Sequence, residues 1–338
     1  METRMKPLAN PRCKALYQSL VHCSIPRWLL WFAVGWSMGA AHAAGPDPAR
    51  FNGFDVADAI VPIHTIQRGG PPRDGIPAID HPKFVPADVA QLADKDRVLG
   101  VALNGIARAY PVRILNWHEV VNDKFAGRAV VVTYCPLCGT GMAFDAELRT
   151  GATSFGVSGL LYNSDVLLYD RATKSLWSQL RQTAISGPLK GTRLRAVPLS
   201  HTSWADWRRR HPDTEVLSTE TGFNRDYSRD PYVGYESVPR LIFEVQHRDD
   251  RFPLKEWVLG IEVDGTYKAY PFSVLGRAVN ARGELQDTVA GRLLRIRYDP
   301  AHGHAEAFDA QDRVWPSTMA FWFAWVAFHP ATEVLHSP

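Results

Sequence analysis

The chain has 338 residues, with 38 Lys or Arg against 35 Asp or Glu and four cysteines. Five of the basic residues (Arg4, Lys6, Arg12, Lys14, Arg27) and Glu2 lie in the first 43 positions, so residues 44–338 carry 33 basic and 34 acidic groups. A near-neutral body has no basic field to attract nucleic acid, and that class of partner is excluded.

The early basic residues precede an apolar run, WLLWFAVGWSMGAA (28–41), and Ala41-His42-Ala43 follows. Basic, apolar and small-residue regions in that order make an export leader. The run is shorter than the about 20 residues of a membrane span. The expectation is a signal peptide over 1–43, cleaved near Ala43, a periplasmic or secreted product, and no stable membrane span afterwards. Cleavage removes Cys13 and Cys23 and leaves Cys135 and Cys138.

Residues 44–96 are rich in Pro and Asp and read as a wrapping segment, with one short helix near PADVAQLAD (86–94). From there the chain repeats itself. VLGVALNGIARAYPVRIL (98–115) parallels VLGIEVDGTYKAYPFSVL (258–275), and YCPLCGTGMAFD (134–145) aligns on YDPAHGHAEAFD (298–309). SWADWRRRHPDTEVL (203–217) aligns on FWFAWVAFHPATEVL (321–335). Asn-Gly and Asp-Gly between alternating apolar residues predict hairpins. Trp204, Trp207, Trp322 and Trp325 are expected to pack two terminal helices into the core. A first unit over 97–218 and a second over 257–338 follow, joined by a structured loop over 219–256. The first unit carries an insertion at about 146–200, whose aromatic alternation predicts two or three more strands. The fold class expected is α+β, mostly antiparallel β: two pseudo-repeated β-rich units with short helices, the first enlarged by the insertion.

The Cys135-Pro136-Leu137-Cys138 loop admits three readings. A structural disulfide closing four residues contributes only about 2 kcal/mol, and the second unit has Asp299 and His302 at those positions. A reversible redox pair exploits the short, strained spacing; no helix N-terminus follows to acidify a thiol, so His118 is the candidate base or electrostatic partner. A zinc or copper site would use the two sulfurs with His118, and His302 or His304 are further donors.

The stretches NWHEVVND, TYCPLCGTGMAFD, FGVSGLLYNSDVLLYDR, SLWSQ and TGFNRDYSRDPYVGYE together resemble the exported domain-of-unknown-function family 3179. Some of its members are described as selenoproteins, with selenocysteine in the cysteine motif. The resemblance implies that one sulfur here is a nucleophile, a redox atom or a metal ligand.

Asn163, Ser164 and Asp165 interrupt an apolar strand pattern, which predicts either a β-bulge or a polar pocket. Trp177 and Gln179 alternate on one strand face and are candidates to line that pocket, and Arg225 and Asp226 to close over it. The function expected is a thiol-based redox site at Cys135 and Cys138 with a redox or small-molecule partner. The alternatives are metal binding by the same cysteines and a structural or partner-binding module. Neither a Gly-x-Ser-x-Gly elbow nor a His-Glu-x-x-His helix is present to suggest a hydrolase.

Overall fold

The computed structural model describes residues 49–336. The expected leader and cleavage point lie outside the described residues. Among the described residues no helix is long and apolar enough to cross a membrane.

Strand accounts for 42% and helix for 11%, and the sheets form a five-bladed β-propeller. This corrects the expected α+β fold of two units. The first blade is built on the hairpin Arg97–Leu103 and Ile106–Pro111. Val98 faces Pro111 and Leu103 faces Ile106 across a turn at Asn104-Gly105, both at positive φ, which matches the twist of paired strands. The strands that complete this blade come from far along the chain: Ser200–Ser203 on one edge, and Glu215–Leu217 running parallel to Ile106–Pro111 on its other side, inside the edge strand Phe84–Pro86. The second blade holds Val120–Phe125, Arg128–Cys135, Thr140–Asp145 and Ala196–Val197.

The third blade is the insertion. Phe155–Tyr162, Asp165–Asp170, Leu176–Ser178 and Thr183–Ser186 form it, with Ile66–Arg68 added at its edge. The fourth blade repeats the topology of the first, with Trp257–Val263, Thr266–Pro271, Ser317–Phe321 and a parallel Glu333–Val334. The fifth repeats the second, with Glu284–Val289, Arg292–Asp299, His304–Phe308 and Val314–Trp315. Each sequence copy therefore spans two blades, and the insertion supplies a whole blade rather than an elaboration of one unit. The helix expected near 86–94 is absent: Phe84–Pro86 is an edge strand of the first blade and a turn follows.

Among the described residues four seven-residue helices pack on the blades: α1 (Val112–His118), α2 (Trp204–Arg210), α3 (Phe272–Ala278) and α4 (Trp322–Phe328). All four tryptophans of α2 and α4 are buried. The Trp207 Nε1 donates to Thr214 Oγ1 and the Trp325 Nε1 to Thr332 Oγ1, each at 2.9 Å. Both rings lie flat against a glycine of the hairpin beneath. A Cβ on Gly100 would stand 2.2 Å from Trp207, and one on Gly260 would stand 2.2 Å from Trp325. Tyr110 donates to Asp123 and Tyr270 to Asp287, tying each hairpin to the next blade.

Candidate functional site: a buried dithiol with two carboxyls

Cys135 ends its strand and pairs with Thr140, so residues 136–139 form a four-residue hairpin loop. The Cys138 amide donates back to the Cys135 carbonyl at 3.2 Å. Gly139 closes the loop at φ +66, and a Cβ there would meet Trp257 at 2.7 Å; both the backbone and the space require glycine. The Cys138 carbonyl accepts from the Phe321 amide at 2.9 Å, which fixes the loop to the fourth blade. Gln179 braces the strands from below, accepting from Thr140 Oγ1 at 2.7 Å and donating to Thr133 Oγ1 at 2.8 Å.

Asn163 and Ser164 are the tip of the third blade's hairpin, at φ 51 and 66, with Tyr162 paired to Asp165. Two consecutive positive φ values are the two-residue turn that suits twisted strands. The polar interruption is thus a buried turn directed at the sulfurs. The Ser164 carbonyl accepts from the Cys138 thiol at 3.4 Å and from the Cys135 thiol at 3.8 Å. The side chains of Cys135 and Cys138 come within 3.7 Å of each other, and both are free thiols. Each sulfur and a carboxylate oxygen of Asp165 lie within 4.8 Å of one another. One Asp165 oxygen accepts from the Leu180 amide at 2.9 Å, and the other, Oδ1, has no hydrogen-bond partner.

The cluster is acidic and buried. Burial pushes Asp165 up to about 7. Burial, with Asp165 nearby, pushes Glu119 up to about 8. Burial raises both thiols as well, and the neighbouring carboxyls add to the effect. Glu119 caps α1 in the left-handed region at φ 58, and its carbonyl accepts from the Tyr134 amide. Charged forms are disfavoured throughout the cluster.

His118 is not brought into this cluster. Its Nδ1 sits 2.7 Å from the Pro77 carbonyl, and its Nε2 lies 2.6 Å from the Tyr227 hydroxyl. A carbonyl can only accept, so Nδ1 carries the proton and Nε2 accepts from Tyr227. Burial lowers the His118 pKa against the Pro77 bond that raises it. The ring serves as an anchor for the 219–256 loop, which has no helix or strand.

The other candidates are dispersed. The Asn163 amide donates to the Ala327 carbonyl, and its oxygen accepts from the Gln246 amide, so it too holds the loop. Trp177 is buried and donates to Asp170 at 3.0 Å. Arg225 lies over the Trp117 ring, and Asp226 is exposed and caps Ser228. His302 meets Ser203 Oγ through Nδ1 at 2.7 Å; His304 faces the His201 carbonyl and Glu306. Neither belongs to the sulfur cluster.

Glu119, Tyr232 and Tyr235 escaped the sequence reading. Tyr232 and Tyr235 pack on the apolar cluster that contains both cysteines. The only signal for Glu119 was its place beside His118 in NWHEVVND.

A buried Cys-x-x-Cys pair, set on one blade hairpin and faced by the tip of another, defines the protein as a five-bladed propeller with an interior dithiol. The chain belongs to the DUF3179 family, described as proteins of unknown function, whose profile matches residues 73–332. No curated protein and no solved structure matches it.

Proposed function

We propose that Cys135 and Cys138 form a reversible dithiol–disulfide pair with Asp165 as proton acceptor. The observation that carries this is the contact of two free thiols beside a buried carboxylate oxygen that has no donor. The Cys135 proton passes to Asp165 as its sulfur attacks a partner disulfide. One partner sulfur leaves as a thiolate and takes up that proton. Cys138 then loses its proton through the same carboxylate and attacks the mixed disulfide at Cys135. The pair is oxidised to a disulfide, and the partner disulfide is reduced to two thiols. An export leader over 1–43 would deliver the protein to an oxidising compartment, where such a pair has electron-accepting partners; N-terminal sequencing of the recovered protein tests that step.

Thiol alkylation and mass spectrometry across a redox titration test the pair. It should titrate above about −300 mV, the region of labile disulfides. A pair that stays oxidised below that value is inert, and the proposal fails.

A second reading has its own support: two sulfurs and a carboxylate within 4.8 Å are three donors suited to zinc, and the two sulfurs alone suit Cu(I). Anaerobic purification followed by metal analysis separates the two. Stoichiometric metal that is lost in Cys138→Ser favours ligation.

A further inference from the structure

A cavity of about 320 Å³ lies beside the dithiol, lined on one side by Pro136 of the cysteine loop and on the other by Gly303 of the matching loop in the second copy. Arg97, His201 and Tyr235 are among the residues that line it. Arg97 is half-buried and donates to the carbonyls of His302 and Gly303 at 2.9 Å and of His201 at 3.3 Å. These carbonyls orient the guanidinium without neutralising it, and among the described residues Arg97 makes no ion pair with a carboxylate. His201 is buried with its Nδ1 unpartnered, and the Tyr235 hydroxyl is buried and unpartnered too. Buried polar groups left unpaired are costly and call for an explanation.

One ligand group answers all three. A carboxylate accepts from a guanidinium, an imidazole N–H and a phenol at once. At the rim stand Asp230 and Glu236, two carboxylates suited to a cationic amine, while the Trp257 ring supplies an apolar wall. The volume is at the small end of ligand pockets, which run from about 300 Å³.

We propose that this cavity is the substrate pocket of the dithiol and takes an amino-acid-type thiol or its disulfide, with its carboxylate held by Arg97, His201 and Tyr235. The identification of the substrate as a sulfur compound rests on the redox reading above; the carboxylate pocket does not. Tyr232 and Tyr235 line the cavity and also pack on the cysteine cluster, so this turn stands between ligand and sulfur. Its Tyr232 side chain must swing aside for exchange while Tyr235 keeps its hold on the carboxylate.

Redox-inert probes keep the two readings apart. S-Methyl-L-cysteine should bind the reduced full chain saturably by calorimetry. 2-(Methylthio)ethylamine, which lacks the carboxylate, should bind at least about tenfold more weakly, because a charge-assisted bond is lost. Arg97→Gln should cost the amino acid a similar factor and leave the amine unchanged. Arg97 also holds backbone, so Tyr235→Phe is the second variant. It removes an unpartnered hydroxyl, so the melting temperature should not fall, while affinity for S-methyl-L-cysteine drops severalfold. No saturable binding, or equal binding of amine and amino acid, overturns the pocket. Binding without thiol exchange on L-cystine leaves the pocket standing and removes the redox reading.

Discussion

Asp165 and Glu119 place two carboxyls in an interior that also holds two thiols. Their folded-state values, about 7 and about 8, lie above the unfolded values of about 4. A group with a raised pKa contributes most below its unfolded value, and that contribution is lost as pH rises through the folded value. The reduced protein should therefore lose stability between about pH 4 and 8, on the order of a few kcal/mol. Asp165→Asn should flatten the part of that slope below about pH 7, as urea denaturation at several pH values will reveal. Parallel slopes in the two proteins would refute it. The cysteines and Asp165 could be named from the chain because a motif and a broken strand pattern mark them. Glu119 could not, since its role comes from a left-handed cap that turns it inward. Tyr235 lies in an irregular loop with no period to show which way it faces.

Individual hairpins and helices were legible. Asn104-Gly105 and Asp264-Gly265 do form the turns their sequences predict, and the Trp-x-x-Trp segments are helices with buried rings. What stayed hidden was which edges pair. The strand after each hairpin belongs to a different sheet, and the partner arrives later in the chain. Alternation reports which face of a strand is buried and says nothing about its neighbour. The Gly100–Trp207 and Gly260–Trp325 contacts make a matched test at this scale. Neither indole has room to retreat in the core, so Gly100→Ala and Gly260→Ala should each destabilise by about 1–3 kcal/mol. Denaturant midpoints measure this; a loss at one site alone would show that the two blades are not equivalent in packing.

At the scale of the molecule, the insertion completes the ring. Were it an elaboration of one unit, its excision would be tolerated. As a blade it also delivers Ser164 and Asp165 to the sulfurs. Replacing residues 146–195 with the short linker of the second copy should abolish the cooperative unfolding transition; a protein that still melts cooperatively would contradict the five-blade closure. The same excision read as circular dichroism should show lost strand content well beyond the deleted segment.

The parallel strand of the first blade adds a consequence in time. The hairpin begun at Arg97 is flanked by Ser200–Ser203 and Glu215–Leu217, and Ile66–Arg68 waits for Leu160–Tyr162. Such distant pairings place the chain among slow folders, in the range of milliseconds to seconds or longer. While only the first hundred or so residues have emerged, no blade has all its strands. A nascent chain in that condition remains threadable.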